Sequence, residues 1–396
     1  MEYQFSNRIS GVTPSAIREI FKFTADPSVI SLAAGNPSAE AFPIEEIQAL
    51  SAEIFSQNPI MALQYSISEG YPPLRQKLTK RLSEKNNIGR EGDELIIVSG
   101  AQQGIELSTK CLCNEGDTII CEAPSFIGSL NAFRSYGINL CGIPMEEDGL
   151  NIALLEKALK EGKNIKAIYV IPTFQNPSGI TTSLAKRKAI YALAKQYAVM
   201  IIEDNPYSDL RFAGTDIPTI KSFDEDGLVI YCGSFSKILS AGMRVGYVCA
   251  PAPIISKLTV AKQVSDVHTN IFFQMLADLF IERYGLENHI KHIKEVYRRK
   301  CTLMLDCIAK EFHPSVQYTK PQGGLFIWCT LPDGVDMMEF CRKAVHNKVA
   351  VVPGNAFLTD ESDPCPSFRL NFSAPSDEQI IKGIEILGKL TWEMSK

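Results

Sequence analysis

The chain has 396 residues, 45% hydrophobic and 21% charged, a balance that supports a large buried core and excludes a disordered polypeptide. Its 40 basic and 45 acidic side chains leave a net charge of -5 without any Lys/Arg block, which argues against a nucleic-acid surface and for a small-molecule partner. Eleven cysteines are scattered without a Cys-x-x-Cys pair, no apolar run reaches the ~18 residues of a membrane span, and MEYQFSNRISGV lacks a basic-then-apolar leader. The expectation is a cytoplasmic protein with reduced thiols that meets neither membrane nor nucleic acid.

In chain order, SAIREIFKFT predicts a helix, and the turn-rich AAGNPSAEAFP follows it. From about residue 93, seven apolar runs appear: ELIIVS, DTIICEAP, INLCGIPM, KAIYVIP, VMIIED, GLVIYCG and RVGYVCAP. The earlier ones are separated by AQQGIELSTKCL, FIGSLNAFRSYG, IALLEKALKEG and SLAKRKAIYALAKQYA, which read as amphipathic helices. This alternation is the pattern of an α/β fold with a mostly parallel seven-stranded sheet, and burial on both faces explains why the runs are nearly all apolar. The last two runs lie close in sequence, which predicts a variation at the sheet edge. Beyond residue 285 the rhythm changes to a long helix from Leu286 to Phe312, strands around LFIWCT, VAVVP and FRLNFS, and a closing helix in SDEQIIKGIEILGKLTWEM. These elements predict a smaller α+β domain over 286–396, beside a large domain over 45–285.

Chemistry-bearing residues stand at the ends of the runs. After LVIYCG comes SFSKILSAGMRVGY, where Lys237 can condense with an aldehyde while Ser234, Ser236 and Arg244 suit a phosphate dianion; by itself the segment could equally be a solvated turn. Asp204 and Tyr207 close VMIIED, and Asn176 lies in TFQNPSG after KAIYVIP, at carboxyl ends of strands, where open α/β sheets bind ligands. ELIIVS runs into SGAQQG, so the backbone of Ala101 and Gln102 opens a helix whose free N–H groups can hold phosphate. His289 and His292 stand three apart on a helix without a third ligand and read as surface positions.

Together these segments resemble the fold type I pyridoxal-phosphate enzymes, the class I/II aminotransferases, over nearly the whole chain. PSAIREIFKF, ISLAAGNPSAEAFP and LQYSISEGYPPLR are similar to the aminoadipate and kynurenine aminotransferase branch. The resemblance assigns residues 1–44 to the small domain, pyridoxal 5'-phosphate as cofactor, and a homodimer as the assembly. It implies a Schiff base on Lys237, Asp204 at the ring nitrogen, Tyr207 and Asn176 at the phenolate oxygen, and Phe126 stacked on the ring. It further implies Arg369 on the substrate α-carboxylate, with Asn176 also at the substrate and Gly35 adding a backbone contact where its missing side chain lets substrate approach closely. Tyr65 either reaches the phosphate of a second subunit or is a surface tyrosine, and Arg18 either pairs with a distal substrate carboxylate or is a solvated helix residue. The implied reaction is ping-pong amino transfer from an L-amino acid (2-aminoadipate, glutamate, aromatic or branched-chain) to a 2-oxo acid, with Lys237 as general base. A carbon–sulfur β-lyase or a decarboxylase would share nearly all these residues, and a noncatalytic cofactor-binding sensor is the rival of another class.

Overall fold

The computed structural model describes residues 3–10, 12, 26 and 28–395. The helix expected in SAIREIFKFT, and Arg18 with it, lies outside the described residues. The large sheet takes the strands in the order Asp93–Val98, Gly246–Pro251, Val229–Ser234, Met200–Asp204, Ile165–Val170, Thr118–Ala123 and Asn139–Glu146. An eighth strand, the two-residue Gly149–Leu150, folds back on the last of these. The five strands from Val229–Ser234 to Asn139–Glu146 are parallel. Gly246–Pro251 runs antiparallel to both of its neighbours.

That placement corrects the expectation of an edge variation, because Gly246–Pro251 lies inside the sheet and Asp93–Val98 forms the edge. The cause is the connection. Residues 235–245 form a loop too short for the helical crossover that a parallel neighbour requires, so the chain returns antiparallel, and this loop carries Lys237 and Arg244.

Alternation along the strands supplies two cores. Cys121, Tyr169, Ile202, Ile230 and Cys232 face a core shared with the helix Ala101–Leu112. Ile120, Ile168, Val170, Ile201 and Val229 face the other, filled by Leu155 and Leu159 from Ile152–Glu161 and by Ile190 and Leu193 from Leu184–Tyr197. The helix Ala101–Leu112 lies close on its face because Gly104 has no side chain: a Cβ there would sit 2.6 Å from Val248 Cγ2.

A second, antiparallel sheet has the order Gln317–Tyr318, Phe326–Thr330, Ser367–Asn371, Val352–Pro353. Ile30–Ser31 pairs in parallel with Val349–Ala350, and Asn371 N–H donates to Leu32 O at 2.8 Å, so the segment before the large sheet packs on the elements that follow it. The helix Leu286–Glu311 packs along Asp377–Met394, whose start is a capping box between Ser376 and Gln379. His289 on that long helix is half-buried with its ring edge-on to Phe280 at 5.3 Å, which corrects its reading as a surface residue; His292 is exposed.

Candidate active site

Five parallel strands end along one edge of the sheet, so Ala123, Val170, Asp204 and Ser234 deliver their following loops to the same place. There a cavity of about 570 Å³ is lined by Gly35, Ala101, Gln102, Phe126, Asn176, Asp204, Tyr207, Ser234, Ser236, Lys237, Arg244 and Arg369, twelve of the fourteen residues singled out in the sequence. Tyr65 is not among them: its side chain is 81% exposed and touches His268 edge-on at 5.9 Å. A larger groove, about 840 Å³ between residues 145–147, 178–181 and 317–322, holds none of the fourteen. Chemistry rather than size therefore identifies the site.

At one end the cavity is built for an anion. The helix Ala101–Leu112 starts directly after Gly100, whose φ of +82° suits glycine, and the guanidinium of Arg244 folds over that glycine. Arg244 Nη2 donates to Ser99 O at 3.1 Å and Nη1 to Ser236 Oγ at 3.4 Å. Ser236 N–H donates to Ser234 Oγ at 3.1 Å. Asp266 fixes this corner from behind, accepting from Ser99 Oγ at 2.9 Å, Gln103 Nε2 at 2.8 Å and Lys262 Nζ at 2.9 Å.

In the middle stands Lys237, whose Nζ donates to Gly35 O at 2.8 Å. Burial, with the charges of Arg369 and Arg244, pushes its pKa down to about 8. Deeper lies Asp204, whose Oδ2 accepts from Tyr169 Oη at 2.8 Å. Burial pushes this carboxyl up to about 7, opposed by the bond from Tyr169, and Oδ1 is buried without a partner among the described residues. Burial also raises Tyr207, whose ring meets Phe326 edge-on at 6.1 Å.

At the far end Arg369, from the strand Ser367–Asn371, donates through Nη1 to Asn176 Oδ1 and through Nη2 to Ala33 O, both at 2.7 Å. Its guanidinium carbon lies 4.2 Å from the ring centre of Phe326 and 4.9 Å from that of Phe357. Burial lowers its pKa to about 10, which still leaves it cationic at neutral pH.

The residues present fit an aromatic cofactor that carries a phosphate. Three cations and a helix N-terminus surround a single buried carboxylate with one oxygen unpartnered among the described residues, which is the donor set for a phosphate, a protonated ring nitrogen and an amino-acid carboxylate. Residues 27–387 match the family model described as "Aminotransferase class I and II". The chain belongs to this family.

The aminotransferase is 40% identical to aromatic-amino-acid aminotransferase 1 of Thermococcus litoralis, over 100% of this chain and 95% of that protein. Its fold matches kynurenine aminotransferase of Pyrococcus horikoshii, solved in complex with PMP, with a TM-score of 0.95 and 37% identity over 99% and 98% of the two chains. LysN, the alpha-aminoadipate aminotransferase of Thermus thermophilus complexed with N-(5'-phosphopyridoxyl)-L-leucine, matches with a TM-score of 0.91 and 33% identity over 99% and 98%. The cofactor of this aminotransferase is pyridoxal phosphate and its fold is type I.

Sequence reasoning missed Tyr169 and its partner Ser129, and did not assign Ile105, Asn131, Ile171 or Phe326, which also line the cavity. Phe326 was within reach, since PQGGLFIW reads as a tight turn beside the active-site mouth. Tyr169 sits inside an apolar strand run and carries no distinguishing local signal.

Proposed function

We propose that the cavity is the seat of amino transfer from an L-amino acid to a 2-oxo acid, with the roles distributed as follows. The backbone N–H groups of Ala101 and Gln102, the hydroxyls of Ser234 and Ser236, and Arg244 hold the cofactor phosphate. Asp204 would hold the ring nitrogen, Asn176 and Tyr207 the phenolate oxygen, and Phe126 would supply an apolar contact to the ring. Bound there, pyridoxal phosphate supplies the electron sink for charge that develops at the substrate Cα.

The chain's own residues do the remaining work. Arg369, oriented by Asn176 and Ala33 O and flanked by Phe326, grips the α-carboxylate and so fixes the direction of the Cα–H bond. Lys237 accepts the Cα proton. With its pKa near 8 its amine is neutral in a useful fraction at neutral pH, as a general base needs to be. The observation that carries this reading is the meeting, in one cavity, of Lys237 on Gly35 O with a buried Asp204 whose Oδ1 has no partner among the described residues.

By analogy with the named relatives, the donors are drawn from aromatic amino acids, kynurenine and 2-aminoadipate, with glutamate and branched-chain amino acids as the wider set. We assign residues 45–285 to the cofactor-binding domain and 1–44 with 286–396 to the small domain, a division supported by the large sheet falling wholly in the first and the two smaller sheets wholly in the second. We also take the enzyme to be a homodimer: Ile60 and Leu63, on the helix just before Tyr65, and Val264, in the segment that leads to the His268 ring met by Tyr65, are each more than 70% exposed, apolar surface suited to a second copy that would bring Tyr65 to the partner's phosphate site. Eleven unpaired thiols suit the cytoplasm. The experiment is a half-reaction. Holoenzyme mixed with L-2-aminoadipate, L-glutamate, an aromatic or a branched-chain amino acid, without acceptor, releases the matching 2-oxo acid, and Lys237→Ala releases none. Ammonia with pyruvate, or carbon dioxide, as the product would overturn the assignment.

A further inference from the structure

Asp204 is held by a chain of two hydroxyls that the reaction outlined above does not use. Ser129 Oγ and Tyr169 Oη are 2.8 Å apart, and Tyr169 Oη and Asp204 Oδ2 are 2.8 Å apart. Ser129 and Tyr169 are both 0% exposed, and Asp204 is 3% exposed. The proton positions follow from valence. An ionised carboxylate only accepts, so the single phenolic proton of Tyr169 points at Oδ2, and Ser129 must donate to Tyr169.

The architecture explains why these three groups meet. Tyr169 pairs in register with Ile202 on the next parallel strand, so Tyr169, Ile202 and Asp204 share one face of the sheet, and the tyrosine reaches diagonally to the aspartate. Ser129 comes down from the helix Ile127–Arg134, one turn beyond Phe126, and Phe133 of that helix packs edge-on to Tyr169 at 5.3 Å. One helix thus carries both the aromatic residue at the cofactor and the hydroxyl that ends the chain.

We infer that Tyr169, oriented by Ser129, is a positioning residue that keeps Asp204 ionised and turned so that Oδ1 alone faces the cofactor. The inference rests on the reading that Asp204 meets the ring nitrogen. Burial by itself drives Asp204 toward the neutral acid, which cannot stabilise a cationic ring, and the bond from Tyr169 opposes that drift. The titratable groups that sense Asp204 are Tyr169, Tyr207, Cys232 and Glu122, and none of them is a cation. Neutral hydroxyl donation is therefore the means by which these neighbours hold the charge. Ser129 occupies the acceptor side of Tyr169 Oη, which fixes the direction of the phenolic proton and polarises the bond to Asp204.

The test compares holoenzymes of Tyr169→Phe, Ser129→Ala and Asp204→Asn with the parent. Two quantities are read: the dissociation constant of pyridoxal phosphate by equilibrium dialysis, and the pH profile of the donor half-reaction. Tyr169→Phe keeps the ring against Phe133 and removes one hydrogen bond to a charged group. We expect the cofactor dissociation constant to rise roughly ten- to a hundredfold and the acidic limb of the profile to move to higher pH. Ser129→Ala moves both in the same direction by about two- to threefold, and it keeps the test open should the tyrosine variant fold poorly. If Asp204→Asn weakens cofactor binding while Tyr169→Phe and Ser129→Ala leave both quantities within twofold of the parent, the hydroxyl chain has no such role. If Asp204→Asn leaves cofactor binding unchanged, the reading of Asp204 itself falls, and the inference falls with it.

Discussion

Replacing Arg369 by lysine keeps a positive charge but removes the planar fork, so it separates attraction from orientation. In the structure the guanidinium is committed to Asn176 Oδ1 and Ala33 O, each at 2.7 Å, and packs on the rings of Phe326 and Phe357. A lysine ammonium can take over at most one of those acceptors while it meets a substrate. It offers the α-carboxylate one charge-assisted bond in place of two, and such a bond contributes about 1.5–3 kcal/mol. That alone lowers kcat/KM about 10- to 150-fold, and the freer Cα–H direction adds to the loss in kcat, for a total of about 10²–10³. The assay is the donor half-reaction followed by release of its carbonyl product, the 2-oxo acid from an amino acid and the aldehyde from a primary amine of similar side chain that lacks the carboxylate. The loss appears with the amino acid and vanishes with the amine. A kcat/KM for the amino acid within about fivefold of the parent, or an equal loss with the amine, would refute the assignment of Arg369 to the carboxylate.

Three further perturbations probe other parts of the structure. Gly100→Ala puts a methyl group 2.4 Å from Arg244 Nη2 at a φ of +82°, so backbone strain of about 1–3 kcal/mol and displacement of Arg244 should weaken cofactor binding roughly tenfold or more, read by equilibrium dialysis. Glu122 is fully buried and pushed up to about 8 by burial, so between its unfolded value and pH 8 the folded state holds the extra proton and stability falls as pH rises. Glu122→Gln removes that slope, and its melting temperature should gain on the parent steadily from pH 5 to pH 8.5; parallel curves would show that Glu122 is already ionised. Leu63→Asp combined with Val264→Asp, at positions 74% and 73% exposed, should shift the enzyme to monomers in sedimentation velocity and loosen the cofactor about tenfold, whereas an unchanged sedimentation coefficient would remove this face from the interface.

How far the sequence could be read depended on whether a group's neighbours are fixed by chain order or by register. Lys237, Ser236 and Arg244 share one loop, and that loop is short for a reason visible in the sequence, so their meeting did not need a structure. Asp204 and Asn176 follow strands whose parallel order makes their ends converge, which again only requires the α/β rhythm to be recognised. Arg369 and Gly35 lie far apart in the chain, and apolar alternation alone could not join them. They meet because Leu32 O accepts from Asn371 N–H and Ala33 O from Arg369, contacts that tie the early segment to the late sheet.

Tyr169 marks the limit. In KAIYVIP its ring satisfies the same apolar demand as its neighbours, and at sequence level it is an ordinary strand residue. What turns it into a partner of Asp204 is a pairing of strands, Tyr169 with Ile202, together with a helix that lowers Ser129 onto its hydroxyl. Shifting that register by one residue would turn Tyr169 to the opposite core, where Ile168 and Val170 now pack, and would leave the buried carboxylate without its only hydroxyl donor among the described residues. The ionisation of Asp204 is therefore a property of sheet register as much as of its own residue type. Polar groups of this kind, hidden in apolar runs, are where a buried site carries information that composition and spacing do not.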